Sequence, residues 1–430
     1  YYLSKGHKVS GSDLVASEIT DFLKRPKNGY SGIKVIIGNS AENIKKDFDL
    51  VVYSPAVKFD NPEYKKAKEL EIKIQSYPEA LGDLTKEYYT IAVAGAHGKS
   101  TTTAMIALVM AEAGLDPTVI VGTKIKEFGN HALSKAEGSN FRAGKGKFLV
   151  IEAREYDSSF LHYQPKIIVV TNVDKEHLDY FKNFANVKKA FKDFILKLPE
   201  NGFFVFNKDD KNLKIFNSQF SILNKFSIKQ FSTKNKEAKK LRSILKVPGQ
   251  HNVSNALAVL QVAKILGIPD KITFKSLSSF KGTWRRFEER DSKIKNLKFK
   301  IISDYGHHPN EISATLNAAR EKYPNKKIWC IFQPHQHQRT YYLFNDFVKI
   351  FRKMPIDKII ITDIYDVVGR ETKTINKEVS SEKLVDKINK ENIIYLPVNN
   401  LKKYIKDNIK SGEVLIIMGA GDIYKLADEF

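Results

Sequence analysis

The chain has 430 residues, 71 Lys and Arg against 49 Asp and Glu, a net charge of +22, and 42% hydrophobic residues. That apolar content supports packed cores and excludes a wholly disordered chain, and the length suits roughly two to four domains. The single cysteine, Cys330, excludes an internal disulfide framework, and no apolar run approaches the roughly 18 residues of a membrane span, so a cytoplasmic protein with no membrane partner is expected.

Residues 1–6 read as the end of a helix, with Gly6 as its C-cap. Residues 7–10 then form a short strand, and Gly11-Ser12-Asp13 a turn ending in an acid. Helix end, strand and acid are the second strand of a Rossmann-like unit, where the acid meets a ribose or base. The first strand and glycine-rich loop of that unit do not precede it, so the chain is expected to begin inside the unit, short by on the order of one βαβ element.

Strands at 34–37, 50–53 and 72–75, with a helix over 61–70, complete a small parallel α/β unit. A buried strand at 90–94 opens a larger region, with strands at 148–151, 167–171 and 202–206 and apolar helices at 102–113 and 255–266. That is a doubly wound domain. The texture changes near Trp284-Arg285-Arg286, after which strands at 299–303, 327–332, 358–362 and 414–418 build a third α/β unit. The expected fold is therefore α/β in three domains, 1–87, 88–283 and 284–430: two Rossmann-like units flanking a central domain of the P-loop type.

The sharpest signal is Gly95-Ala96-His97-Gly98-Lys99-Ser100-Thr101, directly after a buried strand and opening an apolar helix. Glycines there let backbone N–H groups close around phosphate oxygens, and the helix N-terminus adds partial positive charge. Lys99 would reach the β- and γ-phosphates of a bound nucleotide, and the Ser100 hydroxyl would hold Mg²⁺. Glu155 and His177 each follow the end of a buried strand, at the carboxyl edge where α/β proteins bind ligands. A hard oxygen donor and an imidazole there suit one or two Mg²⁺ ions. Glu152 is expected at the strand end behind them. His251, Asn252 and Asn255 start a helix after Pro248-Gly249, Asn252 being a good N-cap and Asn255 able to meet an adenine or phosphate. A plain capping motif explains the same spacing.

The shortened phosphate loop resembles that of the Mur ligases, ATP-dependent amide-forming enzymes of peptidoglycan precursor synthesis, with Ala96 in the family's threonine position. The stretches 152–161, 171–181, 249–256, 304–309 and 332–335 resemble five further family motifs in order and spacing, several of them those of the L-alanine-adding member. Val9 to Asp13 resembles its opening V-x-G-S-D. Departures are Arg154 and Tyr156 in place of an acid and a serine, Phe181 in the tyrosine position, and Gln336 where the first of two arginines stands.

The resemblance implies ligation of an amino acid to UDP-N-acetylmuramate through an acyl phosphate, with ATP and Mg²⁺. It implies that Lys99, Glu155, His177 and His307 carry the chemistry, with Ser100, Glu155 and His177 on the metal. Gly95 to Thr101, Asn255, Arg286 and Asp304 would bind ATP, Asp304 at the ribose. Asp13, Tyr305, His307, His335 and Arg339 would bind the UDP sugar and L-alanine, Arg339 gripping the amino-acid carboxylate. His307 and His308 read as substrate-orienting groups, since adjacent side chains diverge on a turn and no third histidine lies near in sequence. Arg285 and Arg286 read as a domain-junction pair, or as solvated arginines.

Three other readings compete. A ligase attaching a whole peptide to the same sugar is disfavoured by Phe332-Gln333-Pro334-His335. An ATP-binding homologue without turnover is disfavoured by the intact set Lys99, Glu155, His177 and Asp304. A nucleic-acid binder rests on charge alone, and only 11 of the 71 basic residues are arginine, the rest being scattered surface lysines.

Overall fold

The computed structural model describes residues 1–24, 32–131, 138–214, 216, 225–294, 296–366 and 378–430. The first unit carries four short strands in two parallel pairs: β1 (Ser10–Asp13) with β2 (Lys34–Ile37), and β3 (Leu50–Tyr53) with β4 (Lys73–Ser76). Gly6 closes a 3₁₀ turn in the left-handed region at φ +88°, as its C-cap reading requires. The strand that follows starts at Ser10 rather than residue 7, and Asp13 is its last residue rather than part of a turn. All four residues of β1 are exposed, so no buried face fixed its register in the sequence.

The central domain is a seven-stranded sheet of β5 (Tyr89–Ala94), β6 (Thr118–Ile125), β7 (Ser139–Arg142), β8 (Phe148–Glu152), β9 (Ile167–Val170), β10 (Phe203–Asn207) and β11 (Ser227–Phe231). Its order is β11-β10-β9-β5-β8-β6-β7, parallel except for β7 at the edge. Side chains alternate across β5. Ile91 and Val93 enter one core with helices Lys99–Glu112 and Gln250–Ile265, while Ala92 and Ala94 enter the other with Phe160, Phe191 and Phe194. Both faces are covered, which is why these strands read as continuous apolar runs. Helix Tyr77–Glu87, grouped by sequence with the first unit, packs Leu81 and Leu84 into this second core.

The third domain has a six-stranded sheet of β12 (Glu288–Asp291), β13 (Lys300–Asp304), β14 (Ile328–Phe332), β15 (Lys358–Ile361), β16 (Ile393–Tyr395) and β17 (Val414–Met418), in the order β12-β13-β17-β14-β15-β16. Only β12 runs antiparallel. The junction is pinned to the central sheet: Trp284 N donates to Lys124 O at 3.0 Å and Thr123 Oγ1 to Trp284 O at 3.0 Å. Among the described residues, no helix is long and apolar enough to cross a membrane.

Candidate active site

β5 lies between β9 and β8 in the sheet, so the loops after all three meet at one edge. The loop after β5 is the phosphate loop, and those after β8 and β9 carry Glu155 and His177. Gly95 and Gly98 sit at φ +137° and +82°. A Cβ at these positions would come within 2.1 Å of Thr171 Oγ1 and 2.6 Å of Asn255 Oδ1, so only glycine fits. The end of β9 holds the loop's shape. Thr171 Oγ1 and Asn172 Nδ2 donate to His97 O at 2.5 and 2.9 Å, and His97 N donates to Asn172 Oδ1 at 2.9 Å. Asn255 thus lies against the loop, one turn into helix Gln250–Ile265. That helix is capped by Gly249, not by Asn252, whose Nδ2 donates to Pro248 O at 2.7 Å.

Lys99 Nζ folds back to donate to Gly95 O (2.5 Å), Ala96 O (3.1 Å) and Glu155 Oε1 (3.0 Å). His177 Nε2 lies 3.9 Å from the same carboxylate oxygen. Glu155 is 2% exposed, so Lys99 supplies the counter-charge a buried carboxylate needs. His177 holds left-handed backbone at φ +56°, its ring edge-on to Tyr156 at 4.9 Å. Burial lowers its pKa, which leaves a neutral imidazole with a free lone pair. Ser100 opens the helix, buried beside Lys99. Glu152, at the end of β8, accepts from Gly122 N at 2.7 Å and stands behind the site.

The third domain closes on this edge through a charged seam. His97 Nε2 lies 3.1 Å from Asp174 Oδ2 and its Nδ1 3.4 Å from Glu311 Oε1. Glu311 Oε1 also meets Arg286 Nη1 at 3.3 Å, and its Oε2 accepts from His307 N (3.1 Å) and His308 N (3.4 Å). Asn310 Nδ2 donates to Asp174 Oδ2, and Arg339 Nη2 lies 3.5 Å from Glu176 Oε2. Burial opposes charge on His97, but Asp174 and Glu311 outweigh it and push its pKa up to about 10. The same pairings hold Asp174, Glu176 and Glu311 below the usual carboxylate range against the opposing pull of burial.

His97 therefore supplies the third histidine that sequence spacing did not place beside His307 and His308. Its ring is 4.7 Å from that of His308, and His97, Glu176 and His308 bring ligand atoms within 4.8 Å of one another. A protonated His97 between two carboxylates balances the cluster without an ion. His308 serves as N-cap of helix Pro309–Lys322, Nδ1 accepting from Asn310 N at 3.3 Å, rather than as a substrate group.

His307 Nδ1 lies 3.1 Å from Tyr305 O, an atom that can only accept, so Nδ1 carries the proton and Nε2 is left as acceptor. Burial, with Arg339 nearby, lowers its pKa to about 4. Its ring is 6.0 Å from that of His335, and His335 Nδ1 lies 3.1 Å from Arg339 Nη1. Tyr305 stacks under both arginines, with Arg285 and Arg286 Cζ at 4.9 and 5.2 Å from its ring. Arg285 is buried and donates to Gly419 O and Gly421 O, so only Arg286 faces the site.

Asp304, expected at the ATP ribose, turns its carboxylate inward. It is 5% exposed, and its two oxygens accept from Gly306 N and Phe287 N, both at 2.8 Å. It braces the Arg285–Phe287 arch, where Arg285 and Phe287 both have positive φ. Asp13 lies exposed on the first unit, its Oδ1 accepting from Val15 N at 3.3 Å.

The seam's acids were not picked out by sequence. Glu311 stands three residues after the capping His308, a capping-box spacing that could have flagged it. Asp174 and Glu176 carried no local signal beyond their place beside His177.

The chain matches the Mur ligase family's catalytic domain over residues 1–89, its middle domain over 93–263 and its glutamate ligase domain over 285–421. It is 42% identical to the UDP-N-acetylmuramate–L-alanine ligase of Acetivibrio thermocellus, across 100% of this chain and 91% of that one. The chain belongs to the Mur ligase family. The same-named ligase of Clostridium botulinum strain Hall is 39% identical, over 100% of this chain and 93% of its own length. Among solved structures, the UDP-N-acetylmuramate–alanine ligase of Thermotoga maritima matches this Mur ligase with TM-score 0.76 and 27% identity, over 100% and 94% of the two chains. A murein peptide ligase of Psychrobacter arcticus shares the fold, with TM-score 0.67 and 21% identity.

Proposed function

We propose that this protein joins L-alanine to the lactyl carboxylate of UDP-N-acetylmuramate at the expense of ATP, in cytoplasmic peptidoglycan precursor synthesis. The observation that carries this reading is convergence: Lys99, Glu155 and His177 on adjacent sheet loops face Arg286, His307 and Arg339 of another domain. The full-length likeness to ligases of that name, and an ADP complex of a Thermotoga maritima Mur ligase of the same fold, support it.

The carboxylate oxygen attacks the γ-phosphorus, the bond to the β-phosphate oxygen breaks and ADP leaves. The amine nitrogen then attacks the acyl carbon, phosphate departs, and the nitrogen loses its proton. Loop amides and Lys99 neutralise the phosphates, which requires Lys99 to exchange Glu155 for a phosphate oxygen. Arg286 comes from the closing domain as a further cation. His307 Nε2 accepts a hydrogen bond from the amine and orients it; so weakly basic an imidazole is a poor general base at neutral pH. Closure of the seam excludes water from the acyl phosphate.

The donors fit a hard divalent cation: a buried carboxylate and a neutral imidazole 3.9 Å apart, beside a helix-start hydroxyl. We assign Ser100, Glu155 and His177 as the residues that would hold Mg²⁺. When bound, it supplies charge neutralisation between phosphate and carboxylate.

The test is ADP release with ATP, Mg²⁺, UDP-N-acetylmuramate and, in turn, L-alanine, L-serine and glycine. No turnover with any of them refutes the ligase reading. Turnover with a peptide but not with L-alanine replaces it by peptide ligation.

A further inference from the structure

A small, partly open cleft lies beside His177, where the central and third domains meet. Lys175, Glu176 and His177 line it from the loop after β9, and Gln336 and Arg339 from the segment after β14. Two of these wall residues hold positive φ, His177 at +56° and Gln336 at +71°. Non-glycine residues keep such conformations where the surroundings enforce them, and they gather at ligand sites.

The two cations of the cleft differ in availability. Arg339 is engaged: Nη2 lies 3.5 Å from Glu176 Oε2, and Nη1 donates to His335 O at 3.2 Å. Lys175 is exposed, and its ammonium makes no ion pair among the described residues. Gln336 offers an amide dipole and no charge.

An amino acid entering here brings a carboxylate that needs cations and an amine that must reach the reacting carbon. We infer that Lys175 is a carboxylate-binding residue of this cleft, pairing with Arg339 on the α-carboxylate of the incoming amino acid in place of a cation at position 336. An ammonium on a flexible four-carbon stem reaches a carboxylate as a point charge without a fixed fork geometry. When Arg339 turns to the carboxylate, Glu176 is released to face the substrate amine. The inference rests on the ligase reading and names the residue that sets its amino-acid affinity.

The experiment is steady-state kinetics of Lys175→Ala and of Lys175→Ala with Gln336→Arg, varying each substrate in turn. The single variant raises KM for L-alanine about tenfold, the loss of one charge-assisted contact. KM for ATP and for the UDP sugar stays unchanged. Its preference for L-alanine over L-alaninamide, which lacks the carboxylate, falls by a similar factor. Adding Gln336→Arg restores both, which a merely structural lysine would not allow. An unchanged KM for L-alanine, a parallel rise in all three KM values, or no recovery in the double variant overturns the inference. A wild-type protein that turns over no amino acid overturns the ligase reading itself, and this inference with it.

Discussion

Glu311→Gln keeps the shape of the residue and removes one charge from the interdomain seam. The side chain is 10% exposed, with Arg286 at 3.3 Å and His97 at 3.4 Å on one oxygen and two backbone amides on the other. The glutamine carbonyl can keep the amides, but its NH₂ group then points at Arg286 and His97, both donors. Removing one partner of a buried ion pair costs about 3–5 kcal/mol when the other is stranded. Here His97 retains Asp174 at 3.1 Å, so the cost is reduced, to roughly 2–3 kcal/mol by the same reasoning. For a domain of this size that lowers the melting transition by about 4–12 °C. Calorimetry resolving the domain transitions, without assuming a two-state chain, measures it. A double-mutant cycle with His97→Gln isolates the pair, and about 1–2 kcal/mol of coupling is expected. A transition within a degree of wild type, or additive variants, would refute the seam as a stabilising contact.

Three further outcomes follow from the same geometry. Lys99→Ala lowers phosphoryl transfer by at least about 100-fold while the protein stays folded, read by ADP release and circular dichroism; a retained rate means the loop is structural. His97, with its folded pKa raised to about 10 from 6.5, contributes stability that is complete below about pH 6.5 and is lost as pH rises through about 10. The difference in unfolding free energy between wild type and His97→Gln should therefore shrink from pH 7 to 10, and a constant difference contradicts the assignment. Glu155→Gln binds ATP more tightly than wild type in EDTA and gains less from added Mg²⁺, as calorimetric titration can measure; equal metal dependence in both proteins rejects the pairing of Glu155 with Lys99.

The sequence carried the parts of the site that are local. A buried strand running into Gly95–Ser100 has one physical use, and strands before Glu155 and His177 place both at the same sheet edge once β8 and β9 flank β5. Elements without an apolar signature were not legible. β12 is Glu-Glu-Arg-Asp and pairs only with the edge that β13 offers it among the described residues. Asp304 sits in the expected motif, yet its carboxyl turns inward because the Arg285–Phe287 arch, at φ +55° and +52°, aims an amide at it. Pairings such as His97 with Glu311 join residues more than 200 apart, and neither spacing nor periodicity encodes them.

The net charge of +22 says little about the site, where four of the cations already face an acid: Lys99 with Glu155, Arg286 with Glu311, Arg339 with Glu176, His97 with Asp174. Substrate phosphates and carboxylates must therefore compete with protein carboxylates rather than enter a bare basic pocket. When ATP draws Lys99 away, Glu155 is left as a carboxylate 2% exposed with no counter-ion, a state costing several kcal/mol. A divalent cation held by Glu155 would remove that cost, so nucleotide and metal would favour each other's binding, and by linkage to the same extent in both directions. The Lys99–Glu155 pair thus penalises metal-free ATP, and the acids of the seam extend the same discrimination to any anion that does not engage both domains.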